Sequence, residues 1–239
     1  MNLSSERRHT APEGQKPSSS IAILFEDDCC VVFNKPAGLL VIPTPQNEKN
    51  TLVNIVNQYY NPQKDQYHLH PCHRLDRETS GVIIFAKGKN NQKLMMEAFR
   101  RKAVLKHYLA FVQGRLPKAT GEIRGVIKDF DQRKHHNRAS QQVAVTRYRV
   151  IESRKSFSII DVEPLTGKTN QIRIHFSQYG NPLIGDRKYS IVKNFHLKFK
   201  RTALHARSIE WTHPINHKKI TVTAELPKDM EVFLARHRN

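Results

Sequence analysis

The segment "HRLDRETSG", residues 73–81, places Asp76 among His73, Arg74 and Arg77, directly before the apolar run "VIIFA". A carboxylate in a polar turn at the mouth of a buried strand suits nucleophilic or general-base chemistry. Either role needs it ionised. Burial alone raises a carboxylate pKa, whereas a nearby guanidinium and backbone N–H donors lower it. An arginine also orients a carboxylate through two parallel hydrogen bonds. The plainer interpretation is a turn-capping aspartate, because Asp and Ser often bond to adjacent backbone. Arg173, in "NQIRIH", is flanked by Ile172 and Ile174. That setting suggests partial burial, where an unpaired charge is costly. Tyr108, in "KHYLAF", reads first as a strand aromatic with its ring in the core.

Two further groups invite chemistry. "HLHPCH" gathers His68, His70, Cys72 and His73, but it lacks the separated ligand pairs of a structural zinc site, so no metal is expected. The segments 128–140 ("KDFDQRKHHNRAS") and 193–202 ("KNFHLKFKRT") concentrate basic residues, the second alternating with Phe195, Leu197 and Phe199. Such segments contact RNA, or else form a solvated loop and an edge strand with its Phe face inward.

The elements that position these residues follow from periodicity. Residues 21–43 read as two short strands around an acidic turn, then a Pro-Gly loop at "NKPAG". "TLVNIVNQYY" carries Leu52, Ile55, Val56 and Tyr59 on one helical face, with Thr51 as N-cap. "GVIIFAK" is a buried strand, and "NNQKLMMEAFRRK" a helix with Leu94, Met95, Ala98 and Phe99 on its apolar face. Strands follow at "VLKHYLAFVQG", "GEIRGVIKDF", "QQVAVTRYRVIES" and "FSIIDVEPL". "TNQIRIHFSQYG" has the Thr/Asn start and terminal Gly of a short capped helix, and two late strands precede a C-terminal helix. Short links between strands favour antiparallel pairing, so the class is α+β with a large mixed sheet flanked by helices and loops.

Composition narrows the partner. Forty Lys and Arg against 21 Asp and Glu give the 239 residues a formal charge of +19. An apolar content of 38% argues for a folded chain, so the excess charge lies on a surface. A basic surface suits a polyanion, since each neutralised phosphate releases condensed counterions. Three cysteines without a C-x-x-C pair fit a reduced, cytoplasmic protein. No apolar run approaches the roughly 20 residues of a membrane span. Residues 1–20 lack the apolar core of a secretion signal and read as a disordered tail.

Five stretches in order resemble the RluA family of pseudouridine synthases: "EDDCCVVFNKPAGLLV", "HRLDRETSGVIIFAK", "KHYLAFVQG", "LTGKTNQIRIHFSQYGNPLIGDRKY", and "LHARSIEWTHP" followed by "AELPKDM". The resemblance spans residues 21–230. It implies the pseudouridine synthase fold and an enzyme that isomerises uridine in rRNA or tRNA without a cofactor; no protein partner is implied. By this resemblance Asp76 is the catalytic carboxylate and Arg173 its ion-pair partner. Tyr108 is the active-site tyrosine that stacks on uracil and acts in the late proton removal from C5, and Ile172 is an apolar wall. Arg74 could fill the gap left by a flipped uridine. Lys35 belongs at the site rim, with His73, Arg77, Lys168 and Asn170 near the RNA.

Where the family usually reads "TGRTHQIR", this chain reads "TGKTNQIR". Lys168 keeps the charge but not the fork, and Asn170 keeps hydrogen bonding without a titratable ring. Residues 21–235 are expected to form one catalytic domain without a separate N-terminal RNA-binding domain. Two rivals differ in class. One is a catalytically silent RNA-binding or ribosome-assembly factor. The other is a glycosylase, for which Glu78 is the nearest second carboxylate.

Overall fold

Apolar residues on both faces of the central strands decide the architecture. The computed structural model describes residues 21–61, 66–127, 143–190 and 197–238. The elements run β1 (Ala22–Glu26), β2 (Cys30–Lys35), α1 (Leu52–Tyr59), β3 (Leu69–Pro71), β4 (Ser80–Lys87), α2 (Gly88–Arg100) and β5 (Val104–Gln113). They continue with β6 (Thr120–Val126), β7 (Val143–Ser153), β8 (Phe157–Pro164), α3 (Gln171–Gln178), β9 (Leu204–Thr212), β10 (Lys219–Thr223) and α4 (Lys228–Arg236).

Among the described residues, the strands form one sheet in the order β1-β2-β4-β9-β5-β8-β7-β6, with β10 added to β9 and β3 to β4. All pairings are antiparallel except β4 with β9, which touch over Ser80↔His205 and Gly81↔Ala206. Gly81 makes that approach possible: a Cβ there would lie 2.1 Å from the Ala206 carbonyl oxygen. The β4–β9 contact brings the Asp76 turn, which immediately precedes β4, to the middle of the sheet.

Strand alternation sorts the core. Ile83 and Phe85 of β4, with Tyr108, Ala110 and Val112 of β5, face α1 and α3 through Leu52, Val56, Ile172 and Phe176. Val82, Ile84 and Ala86 point the other way, toward Met95 of α2, Trp211 and Val222. Leu109 and Phe111 of β5 pack with Phe157, Met230 and Phe233 under α4. Both faces of β4 are therefore covered, which is why its sequence is continuously apolar.

Some details depart from the sequence expectations. Leu94 is exposed on α2, and Met95 alone of its apolar face is fully buried, in the cluster with Val82, Ile84 and Trp211. Thr51 and Asn170 occupy the N-cap positions of α1 and α3, yet neither makes a side-chain cap bond. Residues 128–140 and 193–196 lie outside the described residues. Of the second basic segment, Leu197 and Phe199 pack inward, with Phe199 edge-on to Phe233 at 5.4 Å, rather than offering rings to RNA bases.

Candidate active site

The turn between β3 and β4 is held from beneath by two buried cations. Lys35, at the end of β2, is wholly buried, and its Nζ donates to the carbonyls of Pro36 (3.0 Å), Leu39 (2.7 Å) and Arg77 (3.2 Å). Burial, then the Arg201 charge, lowers its pKa to about 7. Arg201 donates to the Glu78 carbonyl at 3.0 Å and to Ser80 Oγ at 3.3 Å, while its fork grips Asp229 of α4. The Lys35 expectation is thus corrected: all three ammonium protons are taken up by carbonyls, so the residue braces the turn rather than lining a rim. Arg77 does not line the cleft. Its side chain is exposed and donates to the Gly38 carbonyl at 3.2 Å, away from the cleft.

Above this brace opens a cleft of about 630 Å³. Asp76 lines it with Tyr108 of β5 and with Ile172 and Arg173 of α3. His73, Arg74, Lys168 and Asn170 line it as well. Three distant segments therefore converge on one carboxylate. Gln171 secures the α3 side: its amide oxygen accepts from Thr166 Oγ1 and the Lys168 N–H, and its Nε2 donates to the Val145 carbonyl and Thr146 Oγ1. His73 Nε2 accepts the Ile84 N–H at 3.1 Å, an arrangement only a neutral ring allows. Burial, then the Lys106 charge, accordingly holds that imidazole down to about 3.

The ion pair differs from the expected geometry. Arg173 Nη1 lies 3.9 Å from Asp76 Oδ2, a single long contact. The bidentate partner is Asp186, met by Nε at 2.7 Å and Nη2 at 2.9 Å. Nη1 also donates to Asn170 Oδ1 at 2.8 Å, so the departure at this position still serves the arginine. Burial dominates at Asp76, and Arg173, Arg74 and Lys35 do not fully offset it. Its pKa consequently lies above the ordinary aspartate range, against the expectation that the neighbouring cations would win. Burial, then the Asp76 charge, also pushes the Tyr108 phenol up.

Sequence reasoning overlooked Asp186, which is 1% exposed, and Lys106, which lines the cleft two residues before Tyr108. Burial lowers the Lys106 pKa. The alternation Lys106, Tyr108 along one strand was a usable signal, since residues two apart share a face. Asp186 had none beyond the quoted "GDRKY".

A family model for RNA pseudouridylate synthase matches residues 30–178. The chain is 33% identical over 243 residues to ribosomal large subunit pseudouridine synthase D of Zymomonas mobilis, covering 89% of this chain and 71% of that protein. It is 35% identical over 230 residues to tRNA pseudouridine synthase C of Haemophilus ducreyi, covering 88% and 93%. The structure of human RNA pseudouridylate synthase domain containing 4 matches with a TM-score of 0.76 at 28% identity, over 90% of this chain and 92% of that one. Fold and matches define the class: an isomerase that converts uridine to pseudouridine within RNA. Within that class the chain belongs to the RluA family of RNA pseudouridylate synthases.

Proposed function

We propose that residues 21–235 act as one catalytic domain, in the cytoplasm, on uridine in ribosomal or transfer RNA, with Asp76 as the reacting carboxylate. The observation that carries this reading is the convergence of Asp76, Tyr108 and Arg173 from three segments on one cleft. In the reaction the C1′–N1 bond breaks and a C1′–C5 bond forms. C5 loses a proton and N1 gains one, so substrate and product contain the same atoms and no co-reactant is needed. Asp76 meets the electron-poor C1′, or acts as a base at the ribose; either role begins from its ionised form.

Tyr108 supplies a ring face against uracil and Ile172 an apolar wall. While Asp76 is ionised its charge helps keep the phenol protonated. Forming the C1′–C5 bond frees Asp76 as a carboxylate again, and only then does C5 lose its proton, with Tyr108 the cleft phenol at hand for that late transfer. Arg74, Lys106 and Lys168 hold phosphates around the flipped nucleotide, and Arg74 fills the vacated stack.

Asp76→Asn should abolish pseudouridine formation and leave RNA affinity within about twofold, because phosphate contacts dominate binding. Carbodiimide labelling with primer extension on total RNA, from cells with and without the protein, reads both the activity and the modified position. RNA binding by the wild type without any new stop would favour the silent assembly factor, and release of free uracil would favour the glycosylase.

A further inference from the structure

Asp186 is fixed independently of the cleft. Its Oδ1 accepts the backbone N–H groups of Lys188 and Tyr189 at 3.0 and 3.1 Å, and the Tyr189 ring centre lies 4.9 Å from the Arg173 guanidinium carbon. Gly185 precedes it at φ +77°, where a Cβ would sit 1.9 Å from the Arg201 carbonyl oxygen, so the loop closes only with glycine there. Arg173, Asp186 and Tyr189 thus form a socket that holds the guanidinium without help from Asp76.

We propose that Asp186 is a positioning residue for the isomerisation: by holding the Arg173 fork, it restricts Asp76 to one long ion pair and keeps the Asp76 oxygens open to the sugar. The inference rests on the reading of Asp76 as the reacting carboxylate. Two physical arguments support it. A carboxylate in a bidentate pair must break charge-assisted hydrogen bonds before it can bond to carbon. In addition, the charge of Asp76 disappears when the sugar is attached. Were Asp76 the sole partner, Arg173 would then become an unpaired cation, 11% exposed, inside the cleft. Asp186 keeps it paired through the whole cycle. The charged or titratable groups facing Asp76 are Arg173 from α3, Arg74 from its own turn, Lys35 from β2, Tyr108 from β5 and Asp186 itself. Of these, only Asp186 both opposes ionisation of Asp76 and occupies its main counter-ion.

The test is the pH dependence of single-turnover pseudouridine formation by Asp186→Asn and Asp186→Glu. In the Asn variant the released fork turns to Asp76. The acid limb should move to lower pH and the plateau rate fall by roughly a hundredfold, with RNA affinity unchanged. In the Glu variant, which keeps the charge but displaces it, the rate should fall with the limb in place. An Asn variant that melts like the wild type and keeps its limb or its plateau rate overturns the proposal. If neither variant folds, carboxyl-carbon NMR of aspartate-labelled wild type decides the matter, with the Asp76 resonance identified by its loss in Asp76→Asn. A titration above the ordinary aspartate range supports the loose pair, and one at or below it overturns it. Absence of pseudouridine from the wild type would instead count against the functional reading, and the NMR titration would still judge the role of Asp186.

Discussion

Asp76 is held in a state the fold does not favour. Burial pushes its pKa above the ordinary aspartate value, and the nearest guanidinium reaches it with one nitrogen only. The sign of the linkage follows from the direction of the shift. Below the unfolded-state pKa both states carry the proton and this group leaves stability unaltered. As pH rises through the folded pKa, the unfolded state has already released its proton, so ionised Asp76 destabilises the fold at neutral pH. Asp76→Asn removes that cost, and Arg173 keeps Asp186. The variant should therefore melt at or above the wild-type temperature at pH 7, an advantage that shrinks on acidification through the folded pKa. A loss beyond about 1 kcal/mol, or ~3 °C for a chain of this size, in thermal melts would show Asp76 to be a structural ion-pair partner instead. At this scale the meeting of Asp76, Tyr108 and Arg173 in one cleft was legible through the family resemblance and not through local pattern, since Tyr108 alone reads as a core aromatic. That Asp186 rather than Asp76 takes the arginine fork depends on a loop returning through Gly185, which no local pattern encodes.

Elements matter here through what holds the Asp76 turn. β4 and the two helices α1 and α3 are readable because their apolar periods match their burial. The brace beneath the turn is not, since a lysine followed by Pro-Ala-Gly looks like a solvent-facing loop. Lys35 is instead wholly buried, and its three protons meet three carbonyls from two separate loops. Lys35→Met preserves the length of the side chain but removes the ammonium donor from the Pro36 and Leu39 carbonyls and leaves the Arg77 carbonyl only the Gly38 N–H, at a cost of about 2–3 kcal/mol. Urea unfolding should show the midpoint falling by that energy divided by an unchanged slope. Because the Arg77 carbonyl is one of the three, Asp76 should also lose its fixed position, and single-turnover activity should fall with RNA affinity preserved. A variant of wild-type stability would mean that the loops close without the ammonium, and the account of the brace would fail. The helix caps teach the converse lesson. Asn170 was legible as the start of α3, yet its side chain serves Arg173 rather than the helix, so local propensity set the boundary while the site set the bond.

Across the described residues, one short parallel strand pairing, β4 with β9, joins an otherwise antiparallel sheet and gathers the cleft walls. Antiparallel pairing could be inferred from short links, but this contact joins strands more than a hundred residues apart and left no trace in any segment. Net charge, by contrast, needs no topology to be read. Apart from Arg173, the cations lining the cleft are Arg74, Arg100, Lys102, Lys106 and Lys168, with Arg100 also paired to Glu97, against Asp76 and Glu163. If those five each meet one phosphate, the logarithm of affinity should fall against the logarithm of salt with a slope near −4.5 for duplex RNA treated as B-DNA, and about −3.5 for single strands. Between 50 and 200 mM salt that is a loss of roughly one hundred- to five hundredfold. Lys106→Met should shallow the slope by about one contact's worth at every pH where lysine is charged, and Lys106→Arg should restore it. Fluorescence anisotropy with a labelled stem-loop measures both. A flat salt response would mean that the +19 charge lies away from the RNA, and an unchanged slope in Lys106→Met would remove that residue from the phosphate-binding wall.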